Sequence, residues 1–85
     1  MKIILEHNCM NGEFRAGDEI TIDPTRGIDG DDYILIMHDD GRLDVCRAVI
    51  SPQSEVIQLE ARDGAVYQST DVEIAGKVVR LTRFF

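Results

Sequence analysis

Short apolar segments separated by turn residues make up most of the chain, and helical periodicity is nearly absent. Residues 19–23 alternate apolar and polar positions, with Ile20 and Ile22 on one face, which is typical of a half-buried strand. The pattern predicts six strands, at residues 2–6, 19–23, 32–38, 43–50, 56–60 and 72–81. Short strands at regular spacing predict an all-β fold, with a curled, barrel-like sheet and few or no helices.

Two local features refine this prediction. Asp40 and Gly41 lie between two apolar runs, which predicts a hairpin with a two-residue type I′ turn. Gly76 lies inside the last strand and indicates a bulge or a close approach of another backbone. The predicted core consists of Ile20, Ile22, Ile34, Ile36, Val45, Ile57, Leu59, Ile74 and Val78.

Length and charge exclude several classes of function. The 85 residues form one domain, and 16 acidic against 9 basic residues give a net charge of −7. That charge argues against non-specific binding of nucleic acid, which requires cations to neutralise phosphates. No apolar run approaches the roughly 18 residues of a membrane-spanning helix. We therefore expect a cytoplasmic protein that contacts neither nucleic acid nor membrane directly.

Charge is also distributed unevenly. Residues 29–44 contain six aspartates and one arginine, whereas residues 77–85 contain Lys77, Arg80 and Arg83 and no acid. These opposite signs could orient one subunit against another. The aspartate spacing does not provide the alternating ligands of a calcium loop, and two cysteines alone do not complete a four-ligand zinc site. We therefore expect no metal ion and no other cofactor.

The segment 8–18, NCMNGEFRAGD, resembles the nucleophile segment of the LexA-like peptidases (family S24), which include lambda-type phage repressors. That segment runs D-S-M-E-P-T-F-x-x-G-D, and Met10, Phe14, Gly17 and Asp18 keep the pattern. Gly30-Asp31 with the YILIM strand, residues 41–47 and residues 74–79 are similar to three further family segments, in the family's order. The resemblance implies the LexA/signal-peptidase-type fold over residues 1–85.

The departures from the family pattern concern its catalytic residues. In the family a serine is deprotonated by a desolvated lysine. Cys9 stands at the position of that serine and Cys46 at the position of that lysine, so the family's dyad is lost. We also expect neither the helix-turn-helix domain nor the cleavage segment that precede the nucleophile in self-cleaving members. We therefore expect no catalytic residues and no self-cleavage.

Thiol chemistry at Cys9 remains an alternative. A thiol becomes nucleophilic when a base or a cation is near it, and either His7 or His38 could act as that base in a cysteine-peptidase-like site. The resemblance further implies that Cys9 and Cys46 lie side by side, because the serine and lysine that they replace must hydrogen-bond. In that arrangement the two thiols could form a disulfide as a redox switch.

What the resemblance implies for function is association. In repressors of this family the domain pairs subunits through its last strand, which here corresponds to residues 72–85, a candidate edge strand. The expected contact residues are Val72, Ile74, Val78, Arg80, Arg83, Phe84 and Phe85. We expect an inactive oligomerisation module of a bacterial or phage repressor system, such as an SOS-response regulator, that pairs with itself. The alternative is a stand-alone antirepressor or mixed-oligomer partner of another LexA-like protein.

Overall fold

The structure is a computed structural model that describes residues 1–53, 55–61 and 64–84, without the side chain of Asn11. It confirms the all-β class. Seven strands form one antiparallel sheet: β1 (Lys2–Ile4), β2 (Glu19–Asp23), β3 (Tyr33–Met37), β4 (Leu43–Val49), β5 (Gln58–Glu60), β6 (Val66–Gln68) and β7 (Glu73–Thr82). Within the described ranges the one helical element is a 3₁₀ turn, Met10–Gly12, so no helix there is long enough to cross a membrane.

The strands are arranged in the order β1-β2-β7-β3-β4-β5-β6. The described sheet is open, with β1 and β6 at its two edges, so closure into a barrel is not observed. β6 is absent from the six predicted strands, because its three residues are too few to show an alternating pattern. It forms by pairing with β5, where Leu59 lies opposite Tyr67.

The last strand of the sequence lies in the middle of the sheet. β7 pairs with β2 on one side and with β3 on the other, so the expectation of an edge strand at the end of the chain is wrong. Both pairings contain a register shift, which indicates a bulge. A Cβ atom at Gly76 would overlap the side chain of Ile22 and lie 3.0 Å from the backbone of Pro24, so the predicted close approach is confirmed.

The hairpin between β3 and β4 is confirmed, but its turn differs from the prediction. The amide of Gly41 donates to the carbonyl oxygen of His38 at 2.9 Å, and the amide of His38 donates to Arg42 at 2.9 Å. Gly41 has a φ of +85°, whereas Asp40 does not have a positive φ. A type I′ turn needs a positive φ at both central residues. The loop therefore uses three residues, with glycine supplying the left-handed conformation.

Two clusters of apolar side chains cover the two faces of the sheet. Alternation along β3 sends Leu35 to one face and Ile34 and Ile36 to the other. The buried residues of the first cluster are Leu5, Cys9, Phe14, Ile20, Ile22, Leu35 and Val45. Those of the second cluster are Ile34, Ile36, Cys46, Ala48, Leu59 and Ala61. Every residue of the predicted core is buried in one of the clusters or packs against one.

Candidate functional site

Residues 5–18, which we call the first loop, connect β1 to β2 with a fixed backbone. At its base the amide of Leu5 donates to Asp18 at 2.9 Å and the amide of Gly17 donates to Leu5 at 2.8 Å. Farther along, the amide of Cys9 donates to Phe14 at 2.8 Å and the amide of Phe14 donates back at 3.2 Å. These two pairs of hydrogen bonds lie on either side of the 3₁₀ turn in the chain. As a result the side chains of Cys9 and Phe14 point into the first cluster.

Asp18 and Arg83 tie the first loop to the end of the chain. Asp18 is 2% exposed, and the Arg83 guanidinium donates to its two carboxylate oxygens at 3.0 and 2.8 Å. The Arg15 amide donates to the same carboxylate at 2.8 Å, and Arg83 also donates to the carbonyl oxygen of Glu13 at 3.1 Å. The hydrogen bonds from Arg83 are the main cause that holds the pKa of Asp18 below its ordinary value, against the opposing effect of burial.

Three potential ligand or catalytic side chains meet at the first loop. The nearest ligand atoms of His7, Cys9 and Asp44 all lie within 4.8 Å of one another. The Cys9 thiol donates to the carbonyl oxygen of His7 at 3.7 Å. Cys9 is 1% exposed, whereas His7 is exposed and Asp44 is half-buried. The structure therefore brings together one of the two predicted bases, the predicted thiol and an acidic residue.

Asp44 is the member of this cluster that sequence reasoning missed. It lies in β4, far from Cys9 in the sequence, and the alternating pattern gave it only a place in a strand. The other predicted base, His38, follows β3, and its Nε2 atom lies 3.9 Å from Oδ2 of Asp44. The ring of His38 contacts the ring of Tyr67 edge-on, with a centroid distance of 5.1 Å.

Cys46 lies in a different environment from Cys9. It is register partner of Ile34 and belongs to the second cluster, among apolar side chains that include Ile36 and Leu59. Its neighbour in the chain, Val45, points to the first cluster, where Cys9 packs. Both cysteines are buried thiols. Core packing therefore assigns the two thiols to separate clusters, and the side-by-side arrangement implied by the resemblance stays a prediction.

Most of the predicted association residues serve the fold of their own subunit. Val72 and Ile74 pack on the second cluster, and Val78 packs on the first. Arg83 binds Asp18, as described above. Arg80 is exposed and Phe84 is 65% exposed, whereas Phe85 lies outside the described residues.

The basic end of the chain is partly neutralised within the subunit. The Lys77 ammonium lies 3.0 Å from the carboxylate of Asp32, and both side chains are 20% exposed. The hydrogen bond from the Asp29 amide, and after it the one from Lys77, lower the pKa of Asp32. Since Arg83 is paired as well, Arg80 is the one basic group of the described part of residues 77–85 without an ion pair to an acid.

A polar pocket of about 320 Å³ lies beside the first loop, lined by Met10, Glu13, Tyr33, Arg47, Glu60, Ala61 and Gly64. The Tyr33 hydroxyl donates to the carboxylate of Glu13, which is the main cause that raises the pKa of Tyr33. Arg47 donates to Glu60 at 2.8 Å. Among the described lining residues, Glu13 is therefore bonded to a tyrosine and Arg47 to Glu60.

Comparisons with known proteins do not identify the chain. It matches no model of a protein family, and it shows no significant similarity to a curated protein. The likeness to the LexA-like peptidases therefore rests on the motifs of the first loop and of the three later segments.

Proposed function

We propose that this domain is a catalytically inactive association module of a bacterial or phage repressor system, related to the LexA-like peptidases. The order of the four motifs supports the proposal, as do the antiparallel all-β sheet and the cysteines at both dyad positions. The observation that carries it is the exposure of large apolar side chains at the end of the chain, in the segment by which such domains pair.

The exposed side chains are Val79, Leu81 and Phe84, which we call the C-terminal patch. Val79 is 39% exposed, Leu81 40% and Phe84 65%. Leu81 is the register partner of the fully buried Ile20, so it lies on the face of the first cluster but beyond its cover. Exposed apolar groups that include an aromatic ring are typical of protein contact surfaces.

The occupant that we propose for the C-terminal patch is a second copy of this chain. Arg80 lies between Val79 and Leu81 and is exposed in a molecule with net charge −7. Exposed aspartates are available on a second copy, since the Asp31 side chain is 85% exposed and Asp39 and Asp40 are exposed. Arg80 of one copy could then face these aspartates on the other, so that the two surfaces would match in charge as well as in apolar area.

Sedimentation equilibrium of the reduced protein over a wide range of concentration tests this proposal. We expect a dimer or a higher oligomer. Leu81→Ser and Phe84→Ser should each raise the dissociation constant about tenfold or more, which is the effect of removing one central apolar contact. Val66→Ser is the matched control, because Val66 is 54% exposed on the edge strand β6, which β3, β4 and β5 separate from β7.

Three outcomes separate the hypotheses. A monomer at every concentration would exclude self-association. An equal rise of the dissociation constant in Val66→Ser would exclude the C-terminal patch as the specific contact surface. A monomer that forms a complex with a full-length LexA-like repressor would instead support the antirepressor alternative.

A second candidate, a Cys9 thiol enzyme, is favoured by the proximity of His7 and Asp44 to the sulfur. A thiol, a histidine and a carboxylate are the groups of a nucleophile–base–orienter triad. Against it, Cys9 is 1% exposed, so a substrate would not reach the sulfur without movement of the first loop. Alkylation at neutral pH decides: an enzyme requires Cys9 to react much faster than Cys46, and equally slow labelling excludes it.

A further inference from the structure

The His7, Cys9 and Asp44 side chains offer three different ligand types at one point. A thiolate sulfur, an imidazole nitrogen and a carboxylate oxygen together suit a borderline divalent cation such as Zn²⁺ or Co²⁺, whereas Mg²⁺ and Ca²⁺ prefer oxygen ligands alone. We propose that these three residues form a site for a divalent cation of the zinc class. The site is separate from the C-terminal patch and does not depend on the proposed association.

The distances fit such an ion after a small adjustment. Zinc bonds of about 2.0–2.3 Å in a tetrahedron put neighbouring ligand atoms about 3.3–3.8 Å apart. The three atoms here lie within 4.8 Å of one another, so they need to approach by at most about 1.5 Å. His7 is exposed, so its side chain can rotate toward the buried Cys9 sulfur, whereas the Asp44 carboxylate is held by the Val45 amide, which donates to Oδ1 at 2.9 Å. The fixed position is that of Cys9, held by its two backbone hydrogen bonds with Phe14.

An independent observation at Asp44 points to the same site. The Nε2 atom of His38 is buried and has no hydrogen-bond partner among the residues that the structure describes. It lies 3.9 Å from Oδ2 of Asp44, and the His38 side chain is 13% exposed. A histidine beside a ligating carboxylate holds that carboxylate in orientation through a hydrogen bond. His38 is thus placed to act as a positioning residue, and the fourth coordination position remains for water.

Binding of the cation changes the protonation of one group. The S–H bond of Cys9 breaks, a metal–sulfur bond forms, and the proton goes to solvent, while neutral His7 supplies a nitrogen lone pair. Neither oxidation nor reduction takes place. The bound cation would connect the first loop to β4, which the loop otherwise contacts through side-chain packing. Binding should therefore strengthen as the pH rises and should raise the melting temperature.

Titration of the reduced protein with Co²⁺ tests the site, because a cobalt–thiolate bond gives a charge-transfer band that oxygen or nitrogen ligands do not give. We expect one Co²⁺ per chain, with this band and the visible bands of tetrahedral cobalt, and displacement of both by Zn²⁺. His7→Ala is the principal variant, since His7 is exposed and its removal leaves the core intact. It should weaken Co²⁺ binding at least tenfold, and Cys9→Ala should abolish the charge-transfer band.

Two matched controls complete the test. Cys46→Ala removes the other buried thiol, and Glu6→Ala removes an exposed acid next to His7 that lies outside the cluster. Both should leave the Co²⁺ spectrum and affinity unchanged. The proposal is overturned if no charge-transfer band develops, if the band persists in Cys9→Ala, or if His7→Ala binds Co²⁺ as tightly as the unaltered chain.

Discussion

The two faces of the sheet are covered in different ways. The first cluster is covered by the first loop, which polar contacts hold in place: Asp18 with Arg83, Glu13 with Tyr33, and the Asn8 side-chain oxygen with the amide of Ala16 at 2.9 Å. The second cluster is covered by β5, β6 and their flanking residues, where fully buried Leu59 and half-buried Tyr67 supply apolar surface. We call the first loop the polar cover, and β5 with β6 the apolar cover.

The two cysteines show what this difference means for chemistry. Cys9, beneath the polar cover, lies beside a histidine and a carboxylate, whereas Cys46 packs among isoleucines and a leucine. Both are buried, with 1% and 0% exposure, so burial alone does not separate them. The chemistry that is open to a buried thiol depends on which residues cover it. The polar cover positions a ligand set, and the apolar cover serves stability.

The largest expected effect is on the apolar cover. Leu59 is fully buried in the second cluster, and Leu59→Ala should lower the free energy of unfolding by about 3 kcal/mol. Urea denaturation measures this loss. Val66→Ala, at an exposed position of the neighbouring strand, should change the same quantity by less than about 0.5 kcal/mol. A loss below about 1 kcal/mol in Leu59→Ala would show that the second cluster does not carry the stability of the domain.

The next largest effect should come from removing Arg83, which holds the polar cover in place. Arg83→Ala leaves the Asp18 carboxylate buried without its main partner, which we expect to cost about 2 kcal/mol, since Arg83 itself is 30% exposed. Lys2→Ala is the control, because the Lys2–Glu19 pair at 3.7 Å lies at the surface and should contribute about 0.5 kcal/mol or less. Equal losses in the two variants, measured by urea denaturation at neutral pH, would contradict the anchoring role of Arg83.

The same anchor predicts a pH dependence. Because the folded-state pKa of Asp18 is lowered, the unfolded chain binds more protons than the folded one as the solution becomes acidic. The contribution of Asp18 is therefore complete above its unfolded pKa of about 3.9 and is lost as the pH falls through the lower folded pKa. Arg83→Ala should lose less stability between neutral and acidic pH than the unaltered chain, and an identical decline would contradict the assignment.

The smallest effect should be at the pocket beside the first loop. The Glu13 carboxylate raises the pKa of Tyr33 through a hydrogen bond, so Glu13→Gln should move that pKa down toward its ordinary value of about 10. Spectrophotometric titration at alkaline pH measures the change, and Tyr33→Phe identifies the Tyr33 signal. We expect a stability change below about 1 kcal/mol, because the contact is exposed. An unchanged Tyr33 titration would remove Glu13 from the polar contacts of the first loop.

Local patterns in the sequence predict the strands better than their arrangement. β2 follows from its alternation of isoleucines, and the β3–β4 hairpin follows from two apolar runs around Gly41. The central place of β7 depends on pairing with β2 and β3, which are distant in the sequence, so no local pattern shows it. In the hairpin loop Gly41 alone is left-handed, because the loop contains Asp39 in addition to the two predicted residues and therefore differs from a type I′ turn.

The candidate site divides in the same way. The motif of residues 8–18 identifies Cys9, and the short spacing to His7 makes that histidine a candidate partner. Asp44 joins the site through the twist and pairing of β4, which a pattern of single residues does not predict. The exposure of the Leu81 and Phe84 side chains likewise depends on which strands lie beside them in the fold, and no local pattern shows this.

Hydrogen exchange of individual amides, measured by NMR in the unaltered chain and in Arg83→Ala, tests most directly whether polar contacts hold the first loop over the sheet. We predict that the amides of Leu5, Cys9 and Gly17, which donate within the loop, lose protection in the variant. The amides of β3, between β4 and β7, should lose no more than the variant's global loss of stability requires. A uniform loss of protection in the loop and in β3 would contradict the account, because the loop would then be held by the core as a whole and not by Arg83.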